Sequence, residues 1–224
     1  MIKLLDLRKD LVVIYKPPGT PSQSDPTGSP DAMSLTADML KGMGEGSRLW
    51  LVHRLDRTVG GVLVFARTKE AATELSRLVA SGEMEKRYVA VVSGEPQRGE
   101  YTDLLYKDAR LGKAFVVDRK RGGVKEARLT STPITTFEGL TLCDILLHTG
   151  RFHQIRAQLS SRGTPIVGDG KYGSRVKAEN IALHAYLLSF PYRGERVTVR
   201  YLPDTSSYPW DVFRDDKFFE VNND

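Results

Sequence analysis

Residues 140–163, LTLCDILLHTGRFHQIRAQLSSRG, carry the two patterns from which the fold is read. Leu140, Leu142, Asp144 and Leu146 alternate with Thr141, Cys143, Ile145 and Leu147, which predicts a strand covered on both faces. Gly150 stops it. Phe152, Ile155 and Leu159 then recur at helical spacing, and Gly163 stands where a helix C-terminus is commonly capped. A helix is therefore expected to begin at Gly150, directly after the strand.

Similar punctuation appears on either side. Leu11–Tyr15 (LVVIY) is a β-branched run closed by Lys16-Pro17-Pro18-Gly19, residues poorly suited to continuing a ladder. Residues 20–33 predict a loop, and Ser34 the N-cap of a helix with Asp38 early in it. Val62–Ala66 predicts a second buried strand, followed by a helix with Ala72, Leu75, Leu78 and Val79 on one face and its end at Gly82. Tyr88–Val92 is a third strand. Residues 97–130 alternate turn signals with short strands, as in a hairpin arm, and carry the densest basic cluster: Arg119, Lys120 and Arg121, with Lys125 nearby. Strands outnumber helices without a regular βαβ rhythm. The expectation is α+β, with a mixed, largely antiparallel sheet and flanking helices.

The 224 residues suffice to bury an ordinary core, and 40% hydrophobic with 27% charged residues excludes a disordered or coiled-coil chain. No apolar run is long enough to span a membrane, and charges run through the start, MIKLLDLRKDLVV, so a cytoplasmic protein is expected. Cys143 has no partner for an internal disulfide and reads as a core residue. The formal charge of +5 favours an anionic partner without identifying it.

Two polar stretches interrupt this scaffold. Val52-His53-Arg54-Leu55-Asp56-Arg57-Thr58-Val59-Gly60-Gly61 is a glycine-ended loop leading into a buried strand, a common setting for chemistry. Gly150-Arg151-Phe152-His153-Gln154-Ile155-Arg156 concentrates two arginines, a histidine and an amide at the expected helix start, where free backbone N–H groups also favour anions.

Together these stretches closely resemble the RluA-type pseudouridine synthases, whose signature is His-Arg-Leu-Asp, two variable residues, then usually Thr-Ser-Gly. The resemblance extends through Lys16–Gly19, Lys86–Val92, Arg121–Gly123, Gly150–Arg156, Pro165–Asp169, Tyr172-Gly173 and Leu183–Ala185. It implies a pseudouridine synthase fold with a central RNA-binding catalytic cleft, as one catalytic domain over residues 1–224 without a separate N-terminal RNA-binding domain. It also implies an isomerase that needs no cofactor or metal and acts on a flipped-out uridine of ribosomal or transfer RNA. Neither a membrane nor an obligate protein partner is implied, and a monomer is expected. One departure stands out. Val59-Gly60-Gly61 replaces Thr-Ser-Gly, which is expected to loosen the loop.

By family position Asp56 is the catalytic carboxylate, Arg156 the arginine that keeps it ionised, and Tyr88 the tyrosine that packs on the uracil and helps remove the C5 proton. A fixed guanidinium offsets the upward pKa shift that burial imposes on a carboxylate. Arg54 would fill the space of the flipped base or hold a phosphate, and His53 would hold the loop. Arg151, His153 and Gln154 would contact the nucleotide, and Leu183 would wall its pocket. Arg119, Lys120, Arg121 and Lys125 would grip the RNA backbone.

Two rivals remain. A metal-dependent phosphodiesterase would draw on His53, Asp56, His148, His153, Asp169 and His184, but their spacing matches no specific metal motif. A relaxed relative that only binds or remodels RNA is motivated by the altered Val59-Gly60 loop.

Overall fold

The computed structural model describes residues 1–26 and 28–220, so Thr27 of the expected 20–33 loop and residues 221–224 of the expected single domain lie outside it. Among the described residues there are eleven strands and four α-helices, the α+β composition expected. The chain divides into two compact units, Met1–Lys86 with Ala185–Tyr201, and Arg87–His184 with the residues from Leu202 on.

In the first unit, β1 (Lys3–Leu7), β2 (Leu11–Lys16) and β4 (Gly60–Ala66) pair in that order, followed by β10 (Leu183–Tyr192, its residues from Ala185 on) and β11 (Glu195–Arg200). The short β3 (Trp50–Leu51) also joins β4. β2 and β4 run antiparallel in strict register from Leu11↔Ala66 to Lys16↔Gly61. Leu11, Val13, Val62 and Val64 pack with Leu75, Leu78, Leu188 and Phe190, while Val12, Ile14, Leu63 and Phe65 on the opposite face are also buried. Strands buried on both faces lose the polar alternation of a solvated sheet, which is why their sequences are continuous apolar runs.

α1 spans Ala32–Gly42 and begins earlier than expected. Its N-cap is Asp31, whose Oδ1 accepts from the N–H groups of Met33 and Ser34, so Ser34 is the third helical residue. α2 spans Lys69–Ser81, is capped by Thr68, and ends as expected at Gly82 in the left-handed region.

The second unit orders β5 (Glu85–Ser93, its residues from Arg87 on), β9 (Leu140–Leu147), β8 (Val124–Phe137), β6 (Gly99–Asp108) and β7 (Lys113–Val117). The registered pairings are antiparallel. β9 is the two-faced strand expected, with Cys143 in the core, where burial pushes its thiol up to about 12. Asp144, the polar exception, pairs with Arg87 at 2.5 Å. β6, β7 and the first half of β8 form the expected hairpin arm.

α3 (Gln154–Ser161) starts four residues later than Gly150, because His153 takes a left-handed conformation (φ 51°) and acts as N-cap. Its C-terminus bears out the glycine signal: Gly163 N–H reaches Ser160 O and Thr164 N–H reaches Leu159 O, a Schellman closure. Among the described residues no helix is long and apolar enough to cross a membrane.

Candidate active site

The Asp56 loop is held through its backbone. Ser22 Oγ donates to Leu55 O at 2.8 Å and accepts from Leu55 N–H at 3.0 Å. On the other side, Arg57 O accepts from Gly19 N–H at 2.8 Å and from Lys16 Nζ at 3.3 Å. Arg57 Nε returns a bond to Gly19 O at 2.9 Å. Both neighbours of Asp56 are thus pinned, and Val59 N–H closes a turn onto Asp56 O at 3.0 Å. The carboxylate itself is half-buried, and Arg54 is exposed.

Lys16, which the sequence places only in a strand-closing family motif, belongs to this site. A lysine after an apolar strand ordinarily ends in water, yet this one is fully buried. Its ammonium donates to Pro17 O at 3.0 Å and Thr20 O at 2.8 Å as well as to Arg57 O. Burial lowers its pKa to about 7, opposed by the attraction of the Asp56 carboxylate. The Pro-Pro-Gly that follows was its available signal, because it curls the chain so that carbonyls face back toward the strand end.

Val59-Gly60-Gly61 is not a loosened loop. Val59 is buried, and Gly60 and Gly61 are the first residues of β4. Gly61 has φ +134°, and a Cβ there would lie 2.2 Å from Ala185 O, so only glycine allows this backbone approach. His53 Nε2 accepts from Val64 N–H at 3.3 Å, which ties the ring to β4. Burial, with Lys86 adding to it, lowers the ring pKa to about 3, so His53 is neutral at physiological pH.

In the second unit Arg156 is buried at the start of α3 and forms a bidentate pair with Asp169, Nε to Oδ2 at 2.7 Å and Nη2 to Oδ1 at 2.9 Å. The Tyr172 ring lies 4.9 Å from the guanidinium carbon. Asp169 lies 13 residues from Arg156 in sequence, and no apolar or motif spacing points to this pairing. Its place is set by Gly168, where φ is +80° and a Cβ would meet Asn180 O at 2.6 Å.

The expected anion-binding first turn at Arg151–Gln154 is corrected by the later helix start. Gln154 is buried, and its Oε1 accepts from Arg151 N–H and the Thr149 hydroxyl while its Nε2 donates to Arg128 O, so its amide is spent on the scaffold. Arg151 is exposed, with Nε donating to Glu126 O at 2.8 Å. His153 Nδ1 lies 3.0 Å from Tyr172 Oη. Its pKa is lowered to about 3 by burial, then by Arg156, Lys171 and Lys107, which fixes a neutral ring. Tyr88 is buried on β5 opposite Ile145, and Leu183 is buried at the start of β10.

The basic cluster is divided by the sheet. Arg119, Lys120 and Arg121 sit exposed in the β7–β8 turn. Lys125 lies opposite Leu105, on the face that turns toward α3, whereas Arg121 stacks over Tyr106 on the other face. Among the described residues no three His, Cys, Asp or Glu side chains group as metal ligands.

Residues 10–161 match the RNA pseudouridylate synthase family. An uncharacterised RNA pseudouridine synthase of Haemophilus influenzae is 30% identical over 215 residues, 92% of this chain and 90% of that protein. Ribosomal large subunit pseudouridine synthase D of Zymomonas mobilis is 34% identical over 175 residues, 72% of this chain but 55% of the relative, so this chain spans about half of that longer protein. The solved structure of human RNA pseudouridylate synthase domain containing 4 superposes with a TM-score of 0.74 at 25% identity, covering 97% of this chain and 90% of that one. With the motifs and the fold in agreement, the chain belongs to the RluA-type RNA pseudouridylate synthase family, whose members are isomerases that make pseudouridine in RNA.

Proposed function

We propose that this protein isomerises specific uridines of structured ribosomal or transfer RNA, with Asp56 as the essential carboxylate, no cofactor, and residues 1–224 acting as one catalytic domain. The observation that carries the reading is the clasp on both neighbours of Asp56, which fixes a half-buried carboxylate at the residue that the family motif makes catalytic. Preorganisation of this kind favours a reaction at one defined atom. The reaction breaks the bond between uracil N1 and ribose C1′, turns the base, and joins C5 to C1′. The C5 proton is lost and N1 gains one.

In this reading Asp56 acts at C1′ or on the neighbouring 2′ proton, Tyr88 packs on the base and assists proton removal from C5, and Arg156, oriented by Asp169, keeps the carboxylate ionised. Arg54 supports the flipped base, and His53 holds the loop. Arg151 and His153 meet the nucleotide or its phosphates, Leu183 walls the pocket, and the role of Gln154 is to shape that stretch. Arg119, Lys120, Arg121 and Lys125 hold flanking RNA. The protein acts as a cytoplasmic monomer.

Tritium release from RNA labelled at uridine C5 tests the central claim. Asp56→Asn and Asp56→Ala are expected to fold, to bind RNA as wild type does, and to release no tritium above background. Near-normal release by either variant overturns the assignment. A wild type that binds RNA but releases nothing from total cellular RNA supports the remodelling alternative.

A further inference from the structure

The hairpin arm of the second unit carries a sheet face that the proposed chemistry leaves unused. Tyr106 on β6 stands directly opposite Phe115 on β7 and Val124 on β8, with Leu104 and Val117 the next pair along. Opposed residues of antiparallel strands point to the same side, so these five side chains share one face. All are only partly buried. Leu105, Ala114 and Ala127 alternate onto the other face, where they pack with Ala157 and Tyr172.

Positive charge borders the two rings. The Arg121 guanidinium carbon lies 4.8 Å from the Tyr106 ring centroid; Lys113 Nζ lies 5.5 Å from that of Phe115 but nearer, at 4.8 Å, to that of Tyr172 on the other face. Gly123 takes φ +80°, a left-handed turn conformation that favours glycine, beside the Tyr106 ring. Arg119 and Lys120 extend the charge from the same turn. The nearby acids are Asp118, 4.0 Å from Arg119, and Glu126, 3.9 Å from Arg128. Asp108 lies opposite Lys113 across the hairpin.

Adjacent aromatic rings bordered by guanidinium and ammonium groups match the two parts of an unpaired nucleotide, a base face and a phosphate. We propose that Tyr106 and Phe115 form a stacking platform for one or two unpaired nucleotides of the RNA substrate, outside the uridine that is isomerised. The Arg121–Tyr106 stack offers a flat surface that a base can extend, while Arg119 and Lys120 of the turn hold the backbone. This rests on the reading of the chain as an RNA-modifying enzyme. It assigns to the arm a recognition of base faces that a basic cluster alone does not supply.

The test uses a single-stranded RNA 12-mer and the same strand with its four central bases removed, with binding measured by fluorescence anisotropy. A Tyr106→Leu/Phe115→Leu double variant keeps apolar bulk and charge but loses both rings, while Tyr106→Phe keeps the stacking face. The double variant is expected to bind the intact strand about 5- to 100-fold more weakly. Tyr106→Phe should bind like wild type, and the salt slope should not change. On the base-free strand, wild type and double variant should bind equally. Equal binding of the intact strand, or a deficit that persists on the base-free strand, overturns the platform. The wild-type comparison of the two strands needs no variant, and equal affinity there also overturns it. Tritium release by the same wild-type preparation reports the enzyme reading separately, so either idea can fail alone.

Discussion

Lys16 in the first unit and Arg156 in the second are both buried cations, yet their charges are met in opposite ways. Lys16 is surrounded by backbone carbonyls of Pro17, Thr20 and Arg57, whereas Arg156 lies against the carboxylate of Asp169. Carbonyls carry no net charge to offset the ammonium, so burial pulls its pKa down to about 7. What they supply instead is a path: one side chain ties the end of β2 to the loop that follows it and to the loop before β4. The Asp169 pair does the converse, since a bidentate carboxylate fixes the orientation of one guanidinium. One arrangement positions the backbone at Asp56, and the other positions a side chain.

The contrast is broken most sharply at Asp169. Asp169→Ala removes the bidentate carboxylate that orients the buried guanidinium of Arg156 and is expected to cost about 3–5 kcal/mol in urea unfolding. A loss below about 1 kcal/mol would mean that Arg156 is held by other groups. Next comes Gly61, where the backbone control of the first unit is tightest. Gly61→Ala places a methyl against Ala185 and is expected to cost roughly 2–3 kcal/mol. An unchanged melting temperature would show that β4 can slide.

Lys16→Met sharpens the comparison through pH. The lysine pKa is about 7 when folded, against its ordinary value of 10.5, so between those values the unfolded chain binds more protons. This group therefore adds stability to wild type as pH rises from 7 toward 10, by at most about 1.4 kcal/mol per pH unit. Lys16→Met lacks that rise, and parallel stability–pH curves for the two proteins would count against it. The smallest effect belongs to the exposed turn. Arg119→Ala with Arg121→Ala should lower the log–log salt slope of RNA binding by about one to two. Lys125→Ala, on the other face, should contribute separately. An unchanged slope in the double variant would make the turn an ordinary solvated loop.

The alternation of 140–147, the runs 11–15 and 62–66, and the caps Gly82 and Gly163 were legible because each is a local consequence of side-chain period or backbone freedom. The helix starts were not. Asp31 displaced Ser34 as N-cap by offering a carboxylate to two N–H groups, and a left-handed His153 postponed α3 past Arg151. Neither choice is visible in the apolar spacing.

By itself the sequence determined the α+β class, the family through its ordered motifs, and the residues that those motifs single out. Those depend on residue type and on neighbours along the chain. Only the tertiary structure decided that Lys16 is buried among carbonyls, that Arg156 pairs with Asp169, and that Gly60-Gly61 opens a strand instead of loosening a loop. It also decided that Lys125 and Arg121 face opposite ways. Each of these is a pairing of groups distant in sequence or a choice of sheet face, set by burial cost and close backbone approach, which single-residue preferences do not encode.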